Sequence, residues 1–297
     1  MILVAGGTGT LGKRLVPRLV ERGEPVRALV RRANPSMPEQ ADQVMGDITD
    51  PEALKRAVAG ASTVVCAVSG FGGIGGANPR TVDGLGTRAL IAAAAEAGVQ
   101  RFVLVSVFHA RADHPNELQR EKYQSEQALR ASGIPWTILR PAPSMERWIW
   151  IVGENVPAGG KALVLGKGEN PVNFVSAEDV ASVVVDAATG ASPPGRVIDV
   201  AGPEDVTFMG IVDRFAAALG RPVPVRKVPP AALRAMAVFA RPFAPARAWQ
   251  ARATALMDST DMAIRAQAPD GVTGRKTVTE VIGSSLQAAG EGPLPEP

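Results

Sequence analysis

The first five residues, Met1 to Ala5, are apolar, and they run without a break into Gly6-Gly7-Thr8-Gly9-Thr10-Leu11-Gly12 and then into Lys13 to Arg22, with Leu15, Leu19 and Val20 at helical spacing. A buried strand, a glycine turn and an amphipathic helix in direct succession leave few folds open. Gly7, Gly9 and Gly12 satisfy G-x-G-x-x-G, and Gly6, Gly9 and Gly12 satisfy G-x-x-G-x-x-G. In such a loop one glycine permits the sharp turn, one lets backbone approach a phosphate, and one lets the helix pack closely on its strand. The N–H groups opening the helix near Gly12 then face anionic charge, so the segment predicts a dinucleotide pyrophosphate site.

Beyond the loop, strand and helix signals alternate, which predicts the α/β class: a doubly wound parallel sheet covered by helices on both faces. Strands are expected at 1–5, 25–30, 42–45 (weak), 62–68, 101–106 and 135–139, and helices at 12–22, 50–58, 79–97 and 116–132. Gly98 and Gly133 stand where C-caps are needed. After Arg140-Pro141 the rhythm breaks at Pro143, Pro157, Gly159, Gly160, Gly166 and Gly168, which reads as loop and lid. Ser176 and Asp179 suit the start of a further helix, and Arg196 to Ala201 a returning strand. The expected organisation is a nucleotide-binding core over 1–145, completed by about 172–201, with a smaller substrate or lid region over 146–171 and 202–297. The tail 290–297 is expected to lack order.

At 297 residues and 46% hydrophobic content the chain can bury a substantial core. Its net charge of +3 is dispersed, without a Lys/Arg block, so nucleic acid is not an expected partner. Cys66 is the one cysteine, which excludes an intrachain disulfide and a cysteine-based zinc site, and its neighbours predict a buried strand thiol. With the first strand at residue 1 and no apolar run of spanning length, no signal peptide or membrane span is expected, and a cytoplasmic location is.

Cofactor choice is read at the end of the second strand, where NAD-preferring sites usually place a carboxylate for the ribose 2′-hydroxyl. Here stand Arg31-Arg32. This pair can clamp a 2′-phosphate with charge-assisted bonds, so NADP(H) is the expected cofactor. Asp47 can accept from the adenine amino group, with Ile48 on the ring face, or can serve its own turn. Asp50 before Pro51 reads as a helix N-cap. Ala67, Val68 and Ser69 end the fourth strand beside the topological switch point, followed by Gly72, Gly73, Gly75 and Gly76 in a stretch expected near the ribose and nicotinamide.

Taken together, Gly6 to Gly12, Val26-Arg-Ala-Leu-Val-Arg31, Gly46-Asp47, Ala97 to Ser106 and Trp136-Thr-Ile-Leu-Arg-Pro141 resemble the atypical short-chain dehydrogenase/reductases of the NmrA and isoflavone-reductase type. The resemblance covers about the first 200 residues and is loose beyond them. It implies an NADP-binding Rossmann domain and a lysine beside the nicotinamide ribose, a place that Lys122 fits. The wider superfamily pairs that lysine with a tyrosine four residues earlier; this chain has Leu118 there, which has no titratable group. Tyr123, the only tyrosine, points about 100° away from Lys122 around the helix.

Ser106 closes the fifth strand and is expected to reach the same crevice, to bond substrate or to order the loop. His109 reads as a solvated loop imidazole or, alternatively, as a further candidate acid. Pro141 and Ala142 follow the sixth strand, and Met145, Trp148 and Trp150 suit either a flat apolar substrate or the core of the lid. Leu233, Met236, Ala237 and Phe239 to Phe243 leave substrate roof and oligomer contact equally open. Two functions follow. One is an NADP(H)-dependent reductase of a small flat apolar acceptor, a quinone or conjugated carbonyl, with Lys122 and Ser106 as catalytic candidates. The other is a non-catalytic NADP(H)-binding sensor, regulator or assembly factor.

Overall fold

Ile2–Ala5 form β1, and all four of its side chains are buried, as expected of a central strand with both faces covered. This is the first element of a computed structural model that describes residues 1–71, 76–240, 245–262 and 271–297. The chain divides into two compact units. The first consists mainly of Met1–Pro141 and Glu178–Val200, and the second of Ala142–Ala177, Ala201–Gln267 and Val272–Pro297.

In the first unit β1 runs into α1 (Gly12–Glu21), which buries Leu15, Val16 and Leu19. Then come β2 (Val26–Val30), β3 (Ala41–Met45), α2 (Pro51–Val58) and β4 (Thr63–Cys66). The sheet order among the described residues of this unit is β9-β6-β5-β4-β1-β2-β3, with β5 (Arg101–Val105), β6 (Trp136–Pro141) and β9 (Arg196–Ala201), every pair parallel. The chain leaves β1 in one direction towards β3 and in the other from β4 onward, so the switch point lies between β1 and β4. β3 is the edge strand, with only Ala41 buried, which is why its hydrophobic signal is weak. Cys66 is buried in β4 as anticipated.

One expected helix is two elements. Instead of a single helix over 79–97, Pro79–Gly86 is π-helical and leads into α3 (Thr87–Glu96). Asn78 opens the π segment, its side chain accepting from the Thr81 N–H at 3.0 Å. Its glycines meet close neighbours: a Cβ on Gly84 would collide with the Glu121 carboxylate, and one on Gly86 would lie 2.8 Å from the Ile48 side chain. α4 (Glu117–Ala131) then connects β5 to β6.

The second unit holds α5 (Met145–Gly153), the parallel pair β7 (Ala162–Leu165) and β11 (Val225–Val228), the antiparallel pair β8 (Val172–Asn173) and β10 (Asp205–Val206), and several helices. Met145 and Trp148 are buried in this unit, and Trp148 packs on Phe208 with ring centroids 5.3 Å apart, so they serve as core. The helix α6 (Ala177–Thr189) starts where Ser176 predicts, and its first N–H donates to both carboxylate oxygens of Glu146 at 3.0 Å. In the tail, Leu294 is buried, its N–H donates to the Glu154 carbonyl at 2.7 Å, and Glu296 pairs with Arg147 at 2.9 Å.

Candidate functional site

The loop between β1 and α1 contains glycines of two kinds. Gly6 adopts φ +93°, and a Cβ there would lie 2.6 Å from the Ala67 carbonyl oxygen; a Cβ on Gly12 would collide with Gly6 and Gly7. Those two glycines are required by the protein's own packing. Gly9 is not: its φ lies outside the left-handed range, and a Cβ would meet only the Gly6 carbonyl oxygen, at an ordinary 3.5 Å. Nothing among the described residues requires residue 9 to be small. Thr8 and Gly9 are exposed, and the N–H groups of Thr10 and Leu11, just ahead of α1, donate to nothing among the described residues. An anion fits such a cradle.

At the end of β2, Arg31 and Arg32 are both exposed. Across from them Asp47 folds back on its own turn, accepting from the Thr49 N–H at 2.9 Å and hydroxyl at 2.7 Å. Burial pushes this carboxyl up, but the Thr49 bonds and the Arg31 charge outweigh it and hold it below the usual carboxylate range. Ile48 is buried in the core. Asp50 caps α2 as expected, accepting from the Glu52 N–H at 3.0 Å with Pro51 at the first helical position.

Lys122, on α4, is almost fully buried. Its ammonium donates to the carbonyl oxygens of Val68, after β4, and of Val105, ending β5, each at 2.9 Å. Asp83 of the π segment, completely buried, places Oδ1 3.0 Å from the same nitrogen and accepts from the Gly70 N–H on Oδ2 at 2.8 Å. Ser125 donates to the Asp83 carbonyl at 2.6 Å. Burial drives the Asp83 carboxyl up, and the Lys122 charge opposes that. Leu118, one turn before Lys122, is buried and apolar. Burial likewise pushes the Cys66 thiol up, so it is not a thiolate nucleophile.

A second polar cluster forms where β5, β6 and β9 end. The Ser106 hydroxyl donates to Glu126 Oε1, and Arg140 grips the same carboxylate with Nε at 2.9 Å and Nη2 at 2.6 Å. Glu126 is fully buried, and its charge is met by a bidentate guanidinium, the geometry that makes such burial tolerable. Asp199 stands opposite Arg140 in the β6–β9 register. Nearby His109 has φ +63°, unusual for a residue with a side chain, and stacks on Phe108 at 4.0 Å.

A family model described as NAD(P)H-binding matches residues 6–190, more than half of the chain. The chain belongs to this NAD(P)H-binding family. The chain has a Rossmann-like fold. It is 34% identical to a (4-alkanoyl-5-oxo-2,5-dihydrofuran-3-yl)methyl phosphate reductase of Streptomyces griseus over 75% of each chain. It is 32% identical to an NAD(P)H azoreductase of Xenophilus azovorans, again over 75% of each. A photosystem II assembly factor of Synechocystis, Ycf39, is 31% identical over 82% of this chain and 74% of that one. Among solved structures, the Citrobacter triphenylmethane reductase complexed with NADP(H) has the same fold, with a TM-score of 0.75 at 19% identity over 96% of this chain and all of that one.

Within this NAD(P)H-binding chain, the first unit brings together Gly6 to Gly12, Ala67 and Val68 through the β1–β4 pairing and the Gly6–Ala67 contact, and Lys122 through its bond to Val68. Ser69 is exposed between the two residues that Lys122 and Asp83 hold. Pro141 ends β6, and Ala142 is the first residue of the second unit. Gly72, Gly73 and Gly75 lie outside the described residues. Sequence reasoning missed Asp83, Glu126 and Arg140. Their partners are 39, 20 and 14 positions away respectively, counting Lys122, Ser106 and Glu126, and no local pattern announces such pairings. Among the described residues, no helix is long and apolar enough to cross a membrane, and no acidic, histidine or cysteine cluster could hold a metal ion.

Proposed function

We propose that this chain is an NADP(H)-dependent reductase of a small, flat, conjugated acceptor, a quinone or a conjugated carbonyl. The observation that carries the reading is Gly9: the fold leaves room at that residue, beside unengaged N–H groups, for the pyrophosphate of a dinucleotide. The α1 N-terminus and the Thr8 to Gly12 backbone would hold that pyrophosphate. Arg31 and Arg32 would take the 2′-phosphate, with Asp47 and Ile48 on the adenine side. Ala67, Val68, Ser69, Lys122 and Pro141 would line the ribose and nicotinamide end. When bound, NADPH supplies a hydride.

The acceptor class rests on Leu118, Ser106 and Lys122, the groups that the family resemblance brings to the nicotinamide end. Leu118 offers no proton, the Ser106 proton is committed to Glu126, and the Lys122 ammonium is surrounded by two carbonyl oxygens and a carboxylate. A site with so little spare acid favours acceptors that spread the incoming charge over a conjugated system. The reductase relatives support this choice, since their names describe an oxo-dihydrofuran, an azo compound and a triphenylmethane. Steady-state NADPH oxidation against a panel of quinones and enones tests the reading. Turnover with at least one member is expected; tight NADPH binding with no turnover refutes it.

The same shortage of acid favours a second reading, an NADP(H)-binding sensor or assembly factor, and one relative is named as such a factor. It predicts a protein partner whose capture differs between NADP+ and NADPH. Capture indifferent to cofactor state would rule it out.

A further inference from the structure

A π-helical run is a poor hydrogen-bonding solution, and short ones frequently mark functional sites. Here the segment Pro79–Gly86 carries one buried charge, Asp83, and three groups fix it: Ser125 on its carbonyl, the Gly70 N–H on Oδ2, and the Lys122 ammonium 3.0 Å from Oδ1. Oδ1 accepts no aligned hydrogen bond, so its pairing with Lys122 is one of charge. An isolated ammonium in this interior would be strongly destabilised, and Asp83 is the carboxylate that meets it. The pair also has a shape. Lys122 holds the Val68 carbonyl and Asp83 holds the Gly70 N–H, so the two side chains grip the backbone on both sides of exposed Ser69. A Cβ on Gly70 would collide with the Asn78 backbone just before the π segment, so loop and segment are also in direct contact.

We propose that Asp83 is the positioning residue of Lys122: delivered by the π-helical segment, it pairs with the lysine in the interior and locks it to the 68–70 loop, so that the nicotinamide-ribose end of NADP(H) is held. This rests on the cofactor reading given above. Asp83 itself acts through Lys122 and the loop.

The test compares two ligands by calorimetric or fluorescence titration of the full chain without acceptor. One is NADPH. The other is adenosine 2′,5′-bisphosphate, which carries the adenine, its ribose and the 2′-phosphate but stops short of the nicotinamide. In Asp83→Asn, the NADPH Kd is expected to rise at least tenfold while the bisphosphate Kd stays within twofold of wild type. Unchanged NADPH affinity, or equal weakening of both ligands, overturns the proposal, because a merely structural role would not single out one end of the cofactor. If Asp83→Asn does not fold, Ser125→Ala decides, since it removes only the bond that fixes the Asp83 backbone: a severalfold, NADPH-selective loss supports the proposal, and no selective loss overturns it. Wild-type protein that binds neither ligand refutes the cofactor reading itself, and the proposal falls with it.

Discussion

Replacing Gly9 by alanine separates what the fold needs from what a ligand needs. An added Cβ meets the Gly6 carbonyl oxygen at 3.5 Å and nothing else within 4 Å, and the backbone is not left-handed there. A glycine-to-alanine change at such a compatible position stabilises by roughly 0.4–1 kcal/mol, through the entropy of the unfolded chain. For a protein of this size that raises Tm by about 1–4 °C. The same methyl group would stand where a phosphate must approach the backbone. Losing one charge-assisted hydrogen bond costs roughly 1.5–3 kcal/mol, which is a factor of about ten to more than a hundred in Kd. Gly9→Ala should therefore melt no lower than wild type and bind NADPH at least tenfold more weakly, by differential scanning fluorimetry and fluorescence titration. Gly6→Ala, forced to hold φ +93° with its Cβ 2.6 Å from Ala67, should melt lower. Gly9→Ala that binds NADPH like wild type would refute the reasoning, and so would a Gly9→Ala protein that is strongly destabilised.

Two further outcomes follow from charge. Arg31→Asp should lower NADPH affinity about tenfold, the scale of one charge-assisted contact, and shift preference towards NADH; an unchanged NADPH-to-NADH ratio of Kd values removes the assignment of Arg31 to the 2′-phosphate. Asp199 has its carboxyl raised by burial, with Arg140 pulling it down and Glu126 pushing it up. Its folded form thus holds a proton more tightly than the unfolded chain, so ionisation lowers stability as pH rises from roughly 4 through the raised value. Asp199→Asn should gain Tm relative to wild type near pH 7 and lose that advantage near pH 4; an advantage independent of pH would contradict it.

The sequence made the first unit legible because its signals are local. β1, the glycine turn and α1 occupy consecutive residues, and the Asp50-Pro51 cap is contained in one turn. The π segment was not legible: over 79–97 the apolar residues fit one helix, and the extra residue per turn leaves no mark in composition. Lys122 is singled out by the family resemblance, which implies a lysine on this helix, whereas its burial and its partner were not legible, since Asp83 lies 39 positions earlier on another element. Glu126 likewise looks like an ordinary helix-surface acid until β6 brings Arg140 to it. Glu146 lies in α5, within a stretch that the sequence shows only as loop and lid, and serves the start of α6, 31 positions on. Long-range polar pairs come from the topology, and a single sequence does not display them.

Hydride transfer from the bound nicotinamide is the central claim, and deuterium tests it most directly. With NADPH carrying deuterium at both hydrogens of the nicotinamide C4 and a conjugated enone as acceptor, the account predicts deuterium on carbon in the reduced product together with a cofactor Kd equal to that of the unlabelled form. Tight binding of the labelled cofactor with no deuterium in any product, across the acceptor panel, would contradict it.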